Sequence, residues 1–330
     1  MLSIADHRIS LDKLEADSTI DFISHAHSDH IAAAKHSNNI LASKETIDLL
    51  NALGIDAKVS QIHAGIELLP AGHILGSRQL YVYDSSVGLS YLYSGDFQMQ
   101  KSMASEGIKT KNADILVIDS TYPDPKVSFG VKEETIESLL NWTSRTLEKG
   151  SVLFSAYAVG KAQEIIAIMN QIGIIPVVTK KISVINSIYK KNGVQLDYVS
   201  AYDGSNYEEH LNGNFVGISE QRNINELAYM LENVYGKKFY TAMVTGFASF
   251  IHFNTDAQFS LSDHADFAQS IDYINEVNPK IVLTYGHNAE KFAINLSKLG
   301  YTAQPFNHHT IHFAEPIIAR GDKKTKEYIY

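Results

Sequence analysis

Short apolar runs alternate with amphipathic segments along most of this chain. Eight runs have the length and the β-branched or aromatic content of strands: Ile20–Ile23, Leu80–Tyr83, Leu89–Tyr93, Ile115–Ile118, Val152–Ser155, Ile174–Val178, Phe239–Val244 and Ile281–Thr284. Five segments have helical patterns, and each is followed closely by a glycine: Ser43–Leu53, Val131–Leu147, Lys161–Ile172, Asn225–Tyr235 and Ala289–Leu299. Strands and helices mixed at this density predict an α/β fold.

The pattern changes near the first third of the chain. Residues 60–96 read mostly as strands and turns, whereas residues 123–257 alternate strand and helix more regularly. The segment Pro123-Asp124-Pro125 lies between the two patterns, and proline continues neither a strand nor a helix easily. We therefore predict a domain boundary at residue 123.

The composition is that of an ordinary globular protein and restricts the possible metal ligands. With 330 residues, 45% of them hydrophobic, the chain is long enough for one large domain or two medium ones. It has no cysteine, so any bound metal must use His, Asp and Glu, which suit zinc, manganese or iron. No apolar run approaches the ~18 residues that span a bilayer, and the N-terminus has no apolar signal-peptide centre. We expect a cytoplasmic protein without a membrane partner.

The net charge of −9 lowers the expectation of tight, non-specific binding to nucleic acid. It does not exclude a nuclease, because enzymes bind the phosphate backbone through local patches and bound cations offset local carboxylates.

The strongest chemical signal follows the first predicted strand. Four potential ligands, His25, His27, Asp29 and His30, fall within six residues, and small residues separate the first of them. A strand that runs into such a loop directs His25 and His27 to one metal, and Asp29 and His30 to a second one nearby. We expect the turn to tighten into a helix after them.

Further candidate ligands lie just beyond strands or at tight turns, where α/β proteins collect their active-site residues. Each alone is more typical of a hydrogen-bonded structural residue, and the combination with the first run is what favours a site. They are His73, Asp96, Asp119, His264 and His287.

The stretch Ser151–Gln163 predicts a strand, a turn of small residues and a helix beginning near Lys161. The helix N-terminus and the Lys161 charge favour a phosphate contact, and Tyr157 favours base stacking. A solvated lysine and a core tyrosine explain the same residues.

The run His25–His30, then Gly72-His73, then Gly95-Asp96 resembles the metal signature of the metallo-β-lactamase fold. Three further stretches resemble the β-CASP nucleases, which include RNA 3′-end processing endonucleases, RNase J-type enzymes and Artemis-like DNA nucleases: Asp119–Tyr122, Ser155–Glu164 and Phe259–Phe267. Within that group they look most similar to exonucleases encoded beside an ATP-dependent DNA ligase and a helicase. The resemblance runs from about residue 20 to about residue 305.

The resemblance implies a metallo-β-lactamase αββα sandwich formed by residues 1–122 and 258–330, with a β-CASP-like cap domain, residues 123–257, inserted between them. It also implies two divalent ions, with zinc favoured over manganese and iron. One ion would be held by His25, His27 and His73, the other by Asp29 and His30, with Asp96 bridging. The expected catalytic residues are Asp29, Asp96, Asp119 and His264.

One position departs from the family pattern. The family usually supplies a further metal-binding histidine from a strand end, and Tyr285 occupies that position here. Three explanations stay open: Tyr285 is a weak ligand, His287 replaces it, or the second ion binds loosely.

The expected function is a metal-dependent nuclease acting on DNA or RNA, with a ligase or helicase as functional partner. A thioesterase or lactonase would use the same ligands but leaves Asp119 and His264 without a role. A catalytically impaired nucleic-acid-binding protein would have no need of six retained ligands. Nucleic-acid type, exonuclease or endonuclease action, polarity and oligomeric state stay open.

Overall fold

A computed structural model describes residues 2–4, 7–58, 64–202, 211–221 and 223–306 of the chain. Within them, sixteen strands form three sheets that pack with seven α-helices. The predicted α/β class is confirmed. No helix of the described residues is long and apolar enough to cross a membrane.

Two of the sheets contain the beginning and the end of the described chain. The four-stranded sheet has the order β1 (Leu2–Ile4), β2 (His7–Leu11), β3 (Ile20–Phe22), β4 (Ile40–Leu41). The second sheet has the order β16 (Ala303–Pro305), β15 (Ile281–Tyr285), β8 (Ile115–Asp119), β7 (Leu89–Tyr93), β6 (Arg78–Asp84), β5 (Ile66–Pro70). Its strands β7, β8, β15 and β16 are parallel, and β5 to β7 form antiparallel pairs.

The third sheet is built from the chain between β8 and β15. Its strands are all parallel, in the order β11 (Val199–Ser200), β10 (Val177–Val178), β12 (Val216–Ser219), β9 (Ser151–Ser155), β13 (Phe239–Val244), β14 (Ala257–Phe259). Parallel neighbours require crossover connections, which explains the regular alternation of strand and helix in this part of the sequence.

The helices lie on the faces of the sheets that their apolar stripes cover. They are α1 (Lys44–Ala52), α2 (Lys132–Leu147), α3 (Lys161–Asn170), α4 (Lys180–Lys191), α5 (Ile224–Tyr235), α6 (Phe267–Val277) and α7 (Ala289–Lys298). Helices α6 and α7 share a core with one face of the second sheet, and the other face of that sheet packs on the four-stranded sheet. Helices α1 to α4 contribute to the core of the third sheet.

Most predicted elements are present with end shifts of one or two residues. The predicted strand Ile174–Val178 is shorter, since only Val177 and Val178 pair with neighbours. Two helices were not predicted, α4 and α6. Each begins at a side-chain cap, Thr179 or Asp266, and buries one face, which offsets the β-branched residues of α4. The helix that follows the His25–His30 loop is a short 3-10 helix, Ala33–Lys35.

Candidate metal centre

The carboxyl ends of several strands meet at one edge of the paired sheets. The loop after β3 supplies His25, His27 and His30, the loop after β7 supplies Asp96, and β8 ends on Asp119. The turn between β5 and β6 adds His73, and the loop after β14 adds His264. Gly95 allows the close approach of Asp96, because a Cβ at this positive φ would lie 2.7 Å from the Ser24 Cβ. A cavity of about 750 Å³ opens over this edge.

Three histidines and one aspartate form the centre of the site. Ligand atoms of His25, His27, His73 and Asp96 all lie within 4.8 Å of one another. Asp96 Oδ2 is 3.5 Å from His25 Nε2 and 3.8 Å from His73 Nε2. His73 Nε2 faces His27 Nδ1 at 3.1 Å. The inward atoms are therefore three imidazole nitrogens and a carboxylate oxygen, a donor set typical of zinc sites.

The outward nitrogen of each of these histidines has a partner of its own. His25 Nδ1 lies 2.9 Å from the Ser24 hydroxyl, which donates to a carboxylate at 2.7 Å and therefore accepts from the ring. His27 Nε2 lies 3.1 Å from the carbonyl of Val159, and His73 Nδ1 lies 2.7 Å from the carbonyl of Asp263. Carbonyl acceptors require N–H on the outward side, so the inward nitrogens carry lone pairs.

The residues fit a divalent cation. Burial lowers the pKa of His25 and His73 well below the usual value, and it lowers the pKa of His27 as well. Metal ligands must be neutral imidazoles, so these shifts favour binding. His25 Nε2 is buried without a hydrogen-bond partner among the described residues, although buried polar atoms are almost always satisfied. A cation between the inward nitrogens would satisfy it.

His30 and Asp29 lie beside this cluster in different ways. His30 Nε2 is 3.3 Å from Asp96 Oδ2 and 3.7 Å from Asp29 Oδ2. The Asp29 side chain is 78% exposed at the cavity mouth, whereas His30 is buried. Burial opposes the charged form of His30, but the carboxylates of Asp96 and Asp12 outweigh it and raise its pKa well above the usual value.

A second group of ligand-type atoms shares Asp96 with the first. Asp96, Asp119 and His264 also have ligand atoms within 4.8 Å of one another. His264 Nδ1 lies 3.1 Å from Asp119 Oδ2, and its Nε2 is 3.8 Å from Asp96 Oδ2. Burial would lower the pKa of His264, but the charges of Asp96 and Asp119 outweigh it and raise the pKa to about 9. A protonated imidazole held between two carboxylates can donate a proton into the cavity.

Asp12 is a residue of the site that the sequence did not reveal. It follows β2, is buried, and has a φ of 56°, which is unusual for a residue other than glycine. Its carboxylate accepts from the Ser24 amide at 2.6 Å and from the Tyr93 hydroxyl at 2.7 Å, and it lies 3.0 Å from His30 Nδ1. Asp12 therefore orients the His30 ring through its Nδ1 atom. The available signal was its position directly after a strand.

Asp12→Ala is expected to lower the free energy of unfolding by about 3–5 kcal/mol, because it removes one partner of a buried charged pair and leaves several donors unpaired. It should also weaken metal binding, since His30 loses its orientation. Urea unfolding and metal titration measure the two effects. Asp21→Ala is the matched control: Asp21 is a buried carboxylate of β3 that accepts from Ser10 and Ser18. We expect it to cost stability only; equal losses of metal affinity in both variants would contradict the role of Asp12.

The position of the missing family histidine is filled by a tyrosine that points elsewhere. The Tyr285 hydroxyl donates to the carbonyl of Leu11 at 3.1 Å, and its ring packs on Tyr93 with centroids 5.4 Å apart. His287 lines the cavity but is exposed, and it belongs to neither group of clustered ligand atoms. The Tyr285 hydroxyl is therefore directed to Leu11, and His287 lies outside both groups of clustered ligand atoms.

The two predicted substrate contacts lie in different environments. Tyr157 is 61% exposed at the cavity mouth, with its ring centroid 6.3 Å from that of His27. Lys161 begins α3 as expected, but it is 2% exposed and its ammonium pairs with Glu164 and Asp263, each at 2.7 Å. Lys161 also lines the cavity, so its phosphate contact stays a prediction, with both carboxylates as competing partners of the ammonium.

No family model matches the chain, but individual relatives do. A probable DNA ligase from Opitutus terrae is 29% identical over 299 residues, which is 86% of this chain and 28% of that protein. The DNA cross-link repair 1A protein of Homo sapiens is 27% identical over 47% of this chain, and the endoribonuclease YSH1 of Eremothecium gossypii is 30% identical over 38%. The matches span 16% of each of the latter two proteins. These relatives confirm the resemblance to the β-CASP nuclease group, and the chain spans less than a third of their lengths.

Proposed function

We propose that this relative of the β-CASP nucleases is a metal-dependent phosphodiesterase that cleaves DNA or RNA from an end. The relatives named for DNA cross-link repair and endoribonuclease activity support the substrate class. A DNA ligase or helicase as functional partner is part of this proposal.

The proposed architecture is a metallo-β-lactamase sandwich with an inserted cap. Two facing sheets with helices on the outside support the sandwich, formed by residues 1–122 and 258–330. The third sheet lies in the chain between β8 and β15, which supports a cap of residues 123–257. The strand β14, Ala257–Phe259, extends that cap sheet slightly past residue 257.

Two ions, with zinc favoured by the histidine-rich donor set, are proposed for the site. His25, His27, His73 and Asp96 would hold the first ion. For the second we propose Asp29, His30 and Asp96 and a looser association, since His30 must lose a proton to bind and Tyr285 turns its hydroxyl to Leu11. Bound divalent cations lower the pKa of coordinated water and neutralise charge that develops on a phosphoryl oxygen.

The chain's own residues would then divide the work of phosphodiester cleavage. Asp96 belongs to both groups of ligand atoms and fixes their relative positions. His264 donates its proton to the departing sugar oxygen, which is a poor leaving group as an alkoxide. Asp119 holds the His264 ring through Nδ1 at 3.1 Å, which directs Nε2 into the cavity. The exposed ring of Tyr157 offers a stacking surface for a base.

The observation that carries the proposal is the His264–Asp119 pair beside Asp96. A thioesterase or lactonase would use the histidine cluster equally well but gives this pair no role. A catalytically impaired binding protein is not favoured, because the inward histidine nitrogens are still buried, neutral and oriented by outward partners.

The proposal is tested by cleavage of end-labelled single-stranded and duplex DNA and RNA. The protein is first stripped of metal with a chelator, and metal is then added back. We expect chelator-sensitive cleavage of at least one of the four substrates and no comparable turnover of thioesters or lactones. Turnover of a thioester or lactone without cleavage of any nucleic acid would favour the small-molecule hydrolase instead.

A further inference from the structure

Four charged side chains form a buried chain between the cap helices and the metal centre. Lys132 of α2 pairs with Glu164 of α3 at 2.7 Å. Glu164 pairs with Lys161 at 2.7 Å, and Lys161 pairs with Asp263, in the loop after β14, at 2.7 Å. The side chains of Lys161 and Glu164 are 3% and 2% exposed. We call these four residues the buried ion chain.

Such a chain is a costly way to stabilise a fold. Burial of an ion costs several kcal/mol, and apolar residues of similar volume often give equal stability. The two ammonium groups and two carboxylates balance in charge, and their pair distances are short. What this arrangement adds is a defined relative position of two segments, because Lys161 fixes the Asp263 loop relative to the start of α3.

Each of the two segments that Lys161 joins supplies a backbone carbonyl that accepts from the outward nitrogen of a clustered histidine. The Asp263 carbonyl lies 2.7 Å from His73 Nδ1. The Val159 carbonyl, two residues before Lys161, lies 3.1 Å from His27 Nε2. These contacts orient two of the three clustered histidines. A displacement between α3 and the loop would therefore disturb both rings.

The turn before α3 also packs tightly on the segment that carries His73. Gly160 has a φ of 91°, and a Cβ there would lie 2.4 Å from Cγ2 of Ile74, the neighbour of His73. A side chain at Gly160 would be strained in backbone and would collide with Ile74. The turn before α3, which contains Gly160, therefore packs directly on the turn that contains His73 and Ile74.

We propose that Lys161 is a positioning residue of the metal centre, which locks the cap turn onto His27 and His73 so that metal affinity depends on the cap. This inference rests on the proposed function, since it assumes that the histidine cluster binds metal. The role proposed here for Lys161 differs from the phosphate contact expected from the sequence.

The test is metal affinity, measured by competition of Zn²⁺ between the whole chain and a fluorescent chelator. Lys161→Met is expected to weaken binding about 10–100-fold, the usual effect of losing a group that orients metal ligands. Cleavage should recover in excess Zn²⁺, which a misfolded fraction would not do. The double variant Lys161→Met/Asp263→Asn keeps the buried charges balanced, so it carries the test should the single variant fail to fold.

Lys238→Met is the matched control. Lys238 pairs with Glu232 at 2.7 Å on the exposed side of the same cap, and we expect its loss to leave metal affinity unchanged. Wild-type affinity in a folded Lys161→Met or double variant would overturn the inference while leaving the proposed function intact. Absence of Zn²⁺ binding by the wild-type chain would instead overturn the proposed function.

Discussion

Asp96→Ala is expected to abolish nucleic-acid cleavage and most metal binding. Asp96 Oδ2 lies 3.3 Å from His30 Nε2 and 3.5 Å from His25 Nε2, and it is the atom that both ligand groups share. Burial would raise the pKa of Asp96, but His30 and His264 outweigh it and hold the pKa well below its usual range, so the carboxylate stays charged. Loss of a shared ligand costs several kcal/mol of transition-state stabilisation, on the order of 10³-fold or more in rate.

Metal content by mass spectrometry and cleavage rate should fall together in this variant. Tyr285→Phe is the matched control, because Tyr285 lies beside the cluster but gives its hydroxyl to Leu11. It should keep both metal content and rate. A Tyr285→Phe protein that loses metal would show that the hydroxyl is a ligand, and an Asp96→Ala protein that keeps its metal would contradict the shared position of Asp96.

His264→Ala is expected to lower kcat by about 10²–10⁴-fold, the range of a general acid, with metal content near that of the wild type. The pKa of about 9 leaves His264 protonated at neutral pH, ready to donate. Asp119→Asn should have a smaller effect in the same direction, because the His264 ring keeps a hydrogen-bond partner but loses a charge.

His287→Ala separates this effect from a general loss of cavity histidines. His287 lines the same cavity, is exposed, and lies outside both ligand groups, so its loss should be nearly neutral. Loss of metal from His264→Ala would turn His264 into a ligand and remove its role as acid. A large metal loss from His287→Ala would make His287 the second-site ligand.

The sequence predicted the residues of the site better than their partners. The run His25–His30 places its ligands close together along the chain, and strand ends brought His73, Asp96 and Asp119 to the same edge. A strand end is visible as an apolar run that stops. Half of the sixteen strands and five of the seven helices were predictable for the same reason, the period of their apolar residues.

The orienting contacts were not predictable, because they join residues that are distant along the chain. The pair His264–Asp119 spans 145 positions, and the contact of His27 with the Val159 carbonyl spans 132. Lys161 is a second example of a partner that the sequence does not identify. A lysine at a helix N-terminus predicts an anion partner, and only the fold decides between a bound phosphate and the carboxylate of Asp263.

The central claim is that this histidine and aspartate cluster hydrolyses phosphodiester bonds with bound metal. The most direct measurement uses wild-type protein from which a chelator has removed the metal. Release of labelled nucleotide from single-stranded and duplex substrates is followed as Zn²⁺ or Mn²⁺ is added back, and the Asp96→Ala protein is measured in parallel. The account predicts no cleavage without metal, cleavage that rises with metal occupancy, and none from the variant. Cleavage that persists in chelator, or that the Asp96→Ala protein performs equally well, would contradict it.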